Sequence, residues 1–420
     1  MHTIKIIRNA ALVFAASLIL GPAALWSQVP VRPAARTNGG LRPPVEKELI
    51  YVTLPGTLEG AWDQNGTGII VLDAANNFNF VKRIPTWEVP ASGFPEQVAG
   101  VTASPDTQMI YLATRGRLAA FDLHTEKKVW ENVLDGECCE RPQMAPDSSF
   151  MYVGSDLKDY WYVVNPKDGE LITTVHSPLS MGAHNLNLSA DGKTAFMSPN
   201  GKVMGIADTT THTLVKTIPF PDNVRVFVVN HDSSLIYTNQ NNLLGFLIAD
   251  VKTGQILQKV EVTGFPWHEK WDVTPRPRIP HGCPSHGIAL VNGEKEVWLC
   301  DGLNNYIHIF DNTQMPPKQI ADIKTSHGPY WLTPGLDGKL IYCSSGDVID
   351  TKTRQIVGHL KDEYGRPLYS EKLLDMLFVN GKLTRVSNQF GNGTLAMADA
   401  PGTATTEIPM PGPRSNNTKK

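Results

Sequence analysis

The sequence predicts an all-β fold, a seven-bladed β-propeller, and three regularities support this prediction. Short polar turns recur along the chain, and each is followed by a strand-like apolar run. An Asp or Asn then ends a later strand-like run in each unit. Most units repeat at about 40–45 residues, the length of a propeller blade made of four short strands. The turns are Pro105-Asp106, Pro146-Asp147, Asp191-Gly192, His231-Asp232, Asn292-Gly293, Asp337-Gly338 and Asn380-Gly381, and the later marks are Asp73, Asp122, Asn165, Asp208, Asp250, Asp311 and Asp350.

The first unit lacks an innermost strand of its own. It contains strand-like pieces at 49–54, 68–72 and 78–84, whereas the segment 373–379 near the other end has the composition of an innermost strand. Because closing the ring removes open sheet edges, we expect 373–379 to complete the first blade. Six continuous blades would lie between them. Eight blades are the alternative, since the residues from 395 to 409 resemble the outer half of another unit.

Three segments resemble those of YVTN-type, YncE-like seven-bladed propellers. They are Tyr51-Val52-Thr53, Asp250-Val251-Lys252-Thr253-Gly254 and Ser285-His286-Gly287-Ile288-Ala289. As a repeat pattern, the resemblance extends from residue 48 to residue 393. It implies a seven-bladed ring in a bacterial exported protein. Members of this family have varied functions, so the resemblance implies no particular activity.

Charge and the chain ends bear on partners and location. The chain has 38 basic and 41 acidic side chains, a formal charge of −3, so no basic excess favours nucleic acid. Residues 1–27 have the basic start, short apolar stretch and small final residue of a signal peptide, with a retained anchor as the alternative. We expect a flexible lead-in at 28–47, the propeller at 48–393 and a C-terminal extension at 394–420. The mature protein is then periplasmic or extracellular and does not span a membrane.

The five cysteines do not indicate a disulfide-built scaffold. Cys300 and Cys343 occupy equivalent places in neighbouring units and are expected to pack as small apolar residues. Cys138 and Cys139 directly precede Glu140, and three states remain open for them: two thiols, an adjacent disulfide or a soft-metal ligand.

One position of the repeat collects ionisable side chains. Counting back seven residues from each turn reaches the start of the innermost strand, and in a propeller all these starts border the central opening on one face. We therefore expect the side chains at this position to converge at the axis. They are Glu140, His184, Arg225, His286 and, by its Ser-His-Gly match, His327, with Asp375 beside the equivalent Leu374.

Long loops lead into innermost strands at 85–97, 264–285 and 361–372. Long loops on one rim of a rigid scaffold usually carry function. In the middle loop we expect Trp267, Arg276 and Arg278 to wall a pocket and contact substrate. His281 and Cys283 lie near His286 in sequence and could join or replace a ligand there.

The first functional hypothesis is an exported propeller with a small-molecule site at the axis, for an anionic or polar compound. Three histidines and a carboxylate suit a divalent transition metal such as copper, zinc or iron, or proton transfer in catalysis. Arg225 and Asp375 would then contact the substrate. Without a metal, the same residues line a wet polar channel. The expected ligand or catalytic set is His184, His286, His327 and Glu140, with His281 and Cys283 as further metal donors.

The second hypothesis is a non-catalytic scaffold that presents its rim to a protein partner. It predicts a stable co-purifying protein that is lost when residues 264–285 are trimmed, and no turnover. Metal content after purification is the observation that separates the two hypotheses.

Overall fold

The computed structural model describes residues 44–56, 65–91, 93, 95–134, 139–155, 157–179, 182–266, 282–390 and 394–396 of the 420-residue chain. Within these ranges the secondary structure consists of short β-strands. In chain order they are β1 (Glu46–Leu54), β2 (Gly68–Asp73), β3 (Asn79–Ile84), β4 (Val98–Ser104), β5 (Met109–Thr114), β6 (Leu118–Asp122), β7 (Lys128–Asn132), β8 (Glu140–Met144), β9 (Met151–Gly154), β10 (Tyr160–Val164), β11 (Leu171–His176), β12 (Ala183–Leu188), β13 (Thr194–Pro199), β14 (Val203–Asp208), β15 (Thr213–Pro219), β16 (Val224–Val229), β17 (Leu235–Gln240), β18 (Gly245–Asp250), β19 (Ile256–Glu261), β20 (Ile288–Val291), β21 (Glu296–Asp301), β22 (Tyr306–Asp311), β23 (Lys318–Lys324), β24 (Leu332–Pro334), β25 (Leu340–Cys343), β26 (Asp347–Asp350), β27 (Gln355–His359), β28 (Leu373–Val379), β29 (Lys382–Ser387) and β30 (Thr394–Ala396).

These strands form seven antiparallel sheets, one for each blade of a propeller. Blades 2 to 7 each use four consecutive strands, from β4–β7 through β24–β27. Blade 1 is composite, because β28 from the C-terminal part of the chain pairs with β1 from the N-terminal part. From β28 outward the strand order is β1, β2 and β3. Tyr51 lies opposite Leu374 across this junction. The predicted seven blades and the closing strand 373–379 are confirmed, and the eight-blade alternative is wrong for the described residues.

Burial falls from the hub to the outside of each blade. The innermost β4 is buried along its whole length, whereas the outermost β15 alternates between exposed and half-buried residues. Inner strands are covered on both faces by the adjacent blades, so they read as continuous apolar runs. Outer strands keep one face in solvent and therefore alternate with period two.

The Asp or Asn that recurs in each unit lies at the end of the third strand of a blade, where its side chain stabilises the following turn. The Asp250 side chain accepts hydrogen bonds from the backbone nitrogen and hydroxyl of Thr253, at 2.6 and 2.8 Å. Asp350 makes the same pair of bonds with Thr353. These bonds lower the pKa of both carboxyls. The repeat seen in the sequence therefore records an Asx turn between the third and fourth strands.

The chain's own C-terminal segment occupies the centre of the ring. After β28 the chain turns back as β29, which pairs with β28 on the side away from β1, and β30 adds a further strand. Residues from 383 to 390 reach innermost strands of several blades. Asn388 donates to Gln143 in blade 3, and Phe390 contacts Phe227 in blade 5 and Trp331 just before blade 7. Leu383 and Val386 belong to the same buried apolar cluster as Val101 in blade 2. This C-terminal segment therefore lies in the central opening of the ring, which the sequence analysis did not predict.

Strand pairing extends from Glu46 to Ala396. No helix in the described ranges is long and apolar enough to cross a membrane.

Candidate ligand-binding site at the hub

The backbone pairing is irregular at the positions where the sequence predicted that side chains converge at the axis. The ladder between first and second strands shifts register at the start of each innermost strand in blades 2 to 5. A bulge turns the inserted residue out of the regular pleat and re-aims its side chain. The residues at these irregularities are Ala99, Arg141 with Pro142, His184, and Arg225 with Val226.

Glu140 and His184 form a directly hydrogen-bonded pair at the hub. The His184 Nδ1 donates to a carboxylate oxygen of Glu140, and the histidine is 3% exposed. Burial is the largest single influence on the Glu140 pKa and would raise it. The charges of His184, Arg141 and Lys372 together outweigh burial and hold this pKa at about 2. Glu140 therefore remains a carboxylate at any physiological pH.

Arg141 is held in a strained conformation beside this pair. Its φ is +42°, in the left-handed region that residues with a Cβ seldom adopt. Gly100 in the neighbouring blade permits the arrangement, since a Cβ there would collide with the Arg141 backbone. The guanidinium carbon lies 4.2 Å from the centroid of the Trp331 ring, a cation–π contact.

The hydrogen-bonding capacity of the Arg141 guanidinium is incompletely used. Its Nε is 3.7 Å from Glu140 Oε1, and its Nη2 is 3.6 Å from Glu371 Oε2. Both distances allow electrostatic attraction and exceed those of a hydrogen bond. Nε and Nη1 are buried and hydrogen-bond to no residue in the described part of the chain. Because a buried donor without an acceptor is costly, these two groups mark a place for a ligand or water.

The loop before the closing strand contributes a second buried ion pair. Lys372 Nζ donates to Glu371 Oε2 over 2.6 Å, and the two residues are 2% and 5% exposed. Burial is the largest influence on both groups. It lowers the pKa of Lys372, aided by the charge of Arg141, to about 8. For Glu371 the charges of Lys372, His286 and Arg141 outweigh burial and bring the pKa to about 2.

Trp331 joins the parts of this cluster. Lys372 Nζ is 5.4 Å from its ring centroid, and the His286 ring lies 6.1 Å away. His286 is 1% exposed and its Nδ1 donates to the Tyr330 carbonyl at 3.2 Å. We call the set Glu140, Arg141, His184, His286, Trp331, Glu371 and Lys372 the hub cluster.

The segment after β29 forms the floor of the hub cluster. Trp331 Nε1 donates to the Gln389 carbonyl at 2.8 Å. The Gln389 side-chain Nε2 donates to the Glu371 carbonyl, also at 2.8 Å. The Phe390 ring meets Trp331 edge-on at 5.2 Å. The C-terminal segment and the blade starts therefore build the site together.

Several residues predicted at the axis do not join the hub cluster. Arg225 is buried, but its Nε and Nη1 donate to the side-chain oxygens of Asn241 and Asn200, at 2.6 and 2.9 Å. Asp375 accepts from the Leu336 nitrogen at 3.0 Å, at the turn between the first two strands of blade 7. Burial, followed by the charge of Glu48, raises the Asp375 pKa to about 8.

The register predicted for His327 is wrong. The ladder bonds of blades 6 and 7 make Tyr330 and Trp331 the equivalents of His286 and Gly287. His327 lies three residues earlier, is exposed, and contacts the Tyr369 ring at 5.0 Å. The Ser-His-Gly match caused the error, because Gly287 directly precedes its strand whereas Gly328 lies several residues before Leu332.

The cysteines and the middle loop are only partly described. Cys283 is a free thiol with no exposure, and burial raises its pKa to about 12. Cys139 is disulfide-bonded, while Cys300 and Cys343 are free and buried as predicted. Trp267, Arg276, Arg278, His281 and Cys138 lie outside the described residues.

The predicted metal site finds no support in the residues that the structure describes. No three His, Cys, Asp or Glu side chains there come together in a way that could hold a metal ion. Within the predicted donor set, Glu140 hydrogen-bonds to His184, and His327 is exposed and lies outside the hub cluster. The catalytic and substrate-binding roles expected for the residues of the repeat position stay predictions.

Sequence reasoning missed four of the seven residues of the hub cluster. Arg141, Trp331, Glu371 and Lys372 were not selected, and neither was Gln389. A signal existed for two of them, since Glu371 and Lys372 end a long loop directly before the predicted closing strand. Arg141 carried no such signal, because its inward direction depends on a bulge.

Fold and site define a seven-bladed β-propeller protein with a buried ionic cluster at its hub. No family model matches the chain, and no curated protein matches it either. Among solved structures it is similar to hydrazine synthase of Kuenenia stuttgartiensis, with 13% identity over 69% of this chain and 88% of that chain, and a TM-score of 0.54. It is also similar to a chain in a crystal structure of the mitotic checkpoint complex, with 14% identity, 77% and 96% coverage, and a TM-score of 0.54. At these identities the likeness concerns the fold alone.

Proposed function

We propose that the protein binds a small carboxylate-bearing molecule at the hub cluster. The observation that carries this proposal is Arg141, a buried guanidinium with two nitrogens that hydrogen-bond to none of the described residues. A planar guanidinium matches carboxylate oxygens in geometry and charge. Cation–π contact with Trp331 fixes the plane of the group, so little freedom is lost on binding.

The arrangement of the hub cluster leaves Arg141 available to an anion. The guanidinium lies 3.7 Å from Glu140 and 3.6 Å from Glu371, beyond hydrogen-bond distance, whereas His184 and Lys372 hydrogen-bond to these two carboxylates. Both carboxylates are already occupied by basic partners. A ligand carboxylate would add attraction to Arg141 in surroundings of low dielectric constant, where charge pairing is strong.

We expect a ligand to enter from the rim at which the innermost strands start. The segment 382–390 lies inside the ring, where Phe390 contacts Phe227 and Trp331. Glu140 is the most accessible charged member, with 16% of its side chain exposed.

Titration calorimetry of the full chain tests this function. The probes are acetate, propionate, succinate and inorganic phosphate, measured with the wild type, Arg141→Lys and Arg141→Gln. We expect a carboxylate to bind the wild type and to lose about 100-fold in affinity in Arg141→Gln, since one partner of a buried charge pair is removed. Arg141→Lys keeps the charge, loses the planar fork, and should fall between them.

Arg354→Gln is the matched control, because Arg354 pairs with Glu296 on the outside of the ring, away from the hub. It should bind like the wild type. A wild type that binds no carboxylate, or a loss of binding that Arg354→Gln reproduces, would contradict the proposal.

The pair of Glu140 and His184 favours a second candidate, proton-transfer catalysis. A carboxylate that orients a histidine through Nδ1 is a recurrent arrangement in general acid–base sites. Hydrolysis of 4-nitrophenyl acetate as a function of pH tests it. Catalysis predicts a rate above that of buffer that drops strongly in Glu140→Gln, and equal rates would exclude this activity.

Export and family membership are also proposed. The three segments that resemble the YVTN-type family and the signal-like residues 1–27 support an exported propeller of that family. Cell fractionation followed by N-terminal sequencing checks this, and a mature chain that starts near residue 28 is the expected result. Recovery of the chain in the cytoplasm with Met1 intact would contradict export. A protein partner on the rim of residues 264–285 remains the alternative use of the fold, and affinity purification with that segment trimmed distinguishes it.

A further inference from the structure

We propose that Gln389 selects ligands that carry a hydroxyl group next to the carboxylate, so that the hub cluster binds a 2-hydroxy acid. This inference rests on the proposed function and deepens it. It identifies a specificity-determining residue in the C-terminal segment, outside the seven blades.

The Gln389 side chain presents a buried acceptor. The residue is 1% exposed, and its Nε2 donates to the Glu371 carbonyl at 2.8 Å. This bond assigns the amide orientation, so Oε1 is the remaining acceptor. Oε1 is buried and accepts no hydrogen bond from the residues that the structure describes. An acceptor in this position is costly unless a ligand or water donates to it.

Gln389 and Arg141 belong to the same local site. Trp331 stacks its face on the Arg141 guanidinium and donates its ring N–H to the Gln389 carbonyl. Glu371 attracts Arg141 Nη2 through its side chain and accepts from Gln389 through its backbone. Arg141 and Gln389 thus share two neighbours, and one small molecule that contacts both would satisfy the unused donors and the unused acceptor. That molecule needs an anionic acceptor at one end and a hydrogen-bond donor close to it.

The donor is a hydroxyl, since the surroundings disfavour an ammonium group. Lys372 and Arg141 are both buried here, so a third cation would meet repulsion at low dielectric constant. The acidic side chains that could offset it are already engaged, Glu140 by His184 and Glu371 by Lys372. A neutral hydroxyl satisfies the Gln389 oxygen without that cost. A 2-hydroxy acid is therefore favoured over a 2-amino acid and over the unsubstituted acid.

Titration calorimetry with four probes tests the inference: (S)-lactate, (R)-lactate, propionate and L-alanine. We expect one lactate enantiomer to bind the wild type about tenfold more tightly than propionate, the value of one hydrogen bond to a buried acceptor. Alanine should bind most weakly. In Gln389→Met, which keeps the length of the side chain and removes the acceptor, lactate and propionate should bind equally.

Two further variants keep the test decisive. Gln389→Glu keeps the acceptor and adds a negative charge, so it should weaken both acids at least tenfold. Gln314→Leu changes an exposed glutamine elsewhere and should keep the wild-type preference. Circular dichroism and thermal unfolding verify that each variant is folded.

The possible results distinguish the role of Gln389 from the proposed binding of a carboxylate at Arg141. If lactate and propionate bind equally and both depend on Arg141, the carboxylate site stands and the role of Gln389 is refuted. A preference for lactate that survives in Gln389→Met refutes it as well. If neither acid binds and the hub cluster holds ordered water only, both proposals fail.

Discussion

The conformation of Arg141 is the residue-scale feature on which the site depends. Its positive φ and the bulge in β8 turn its side chain toward Trp331, and Gly100 makes room for its backbone. Strained residues of this kind persist where the surrounding structure determines them fully, and they concentrate at functional sites. Here the strain places a guanidinium between two carboxylates at distances that leave donors for a ligand.

The strain at Arg141 predicts an unusual order of stability between two variants. The free energy of unfolding should be higher for Arg141→Gly than for Arg141→Ala, by up to about 1 kcal/mol, since glycine adopts a positive φ without steric cost. Both variants lose the guanidinium equally, so the difference isolates the backbone. Equilibrium unfolding in urea measures it.

Arg385 supplies the control for this comparison, because it lies in β29 and has no positive φ. There the alanine variant should be the more stable of the pair, as glycine weakens a regular strand. Finding alanine preferred at both positions would show that Arg141 is not strained.

The buried carboxylates predict a loss of stability in acid. Folding lowers the pKa of Glu140 and of Glu371 from 4.5 to about 2, so the native state keeps these charges where the unfolded chain binds protons. Their contribution is complete above about pH 4.5 and is lost as the pH falls toward 2. Each contribution is on the order of 3 kcal/mol, and the two are not additive because they share Arg141 and Lys372.

Urea unfolding of the wild type and of a Glu140→Gln, Glu371→Gln double variant between pH 2 and pH 7 measures this effect. The double variant should be less stable at pH 7 and should show a much shallower slope below pH 4.5. Glu170→Gln, at an exposed position, should keep the wild-type slope. Parallel curves for wild type and double variant would contradict the assignment.

At this scale the sequence predicted part of the cluster. Glu140, His184 and His286 were found because strand starts recur at a fixed distance from a turn. Arg141 was missed because a bulge adds a residue whose direction no count of register reveals. Lys372 and Gln389 were missed because they approach the hub from a loop and from the C-terminal segment, which carry no repeat.

At the scale of elements, β29 and the residues after it are the unexpected part of the fold. The closing strand was predicted with the bounds that β28 has, since its apolar run and turn match other innermost strands. Nothing in the repeat indicated that the next segment enters the ring. That placement depends on contacts with β4, β8 and β16, which are distant in sequence.

The packing of Phe390 predicts that the C-terminal segment contributes substantially to stability. Phe390 is 2% exposed and contacts Phe227 and Trp331. Phe390→Ala should lower the free energy of unfolding by about 3–5 kcal/mol, as for other buried aromatic truncations. Val357→Ala, at a position 48% exposed, should change it by less than about 0.5 kcal/mol. A small effect of Phe390→Ala in urea unfolding would show that the segment is not packed in the ring.

At the scale of the whole molecule, the ring is held closed by non-covalent pairing of chain segments that are far apart in sequence. The composite blade joins β1 to β28 through seven paired positions, from Glu46 opposite Val379 to Val52 opposite Leu373. This closure was predicted from the missing innermost strand of the first unit. It removes two sheet edges that would otherwise be open to aggregation.

The closure predicts that a cross-link between β1 and β28 stabilises the entire propeller. Glu48 and Leu377 are directly opposite and partly exposed, so Glu48→Cys with Leu377→Cys should form a disulfide. The bond closes a loop of most of the chain and should raise the free energy of unfolding by up to about 5 kcal/mol. The same variant in reductant, compared with wild type in reductant, is the control. A thermal unfolding midpoint that is the same in both states would contradict closure at this junction.

A crystal structure of the full chain grown with lactate tests the central claim most directly. We predict electron density for the acid at the hub end of the ring, with its carboxylate within about 3 Å of Arg141 nitrogens and its hydroxyl on the Gln389 oxygen. Density for water alone beside Arg141, at lactate concentrations that saturate the crystal, would contradict the proposed site.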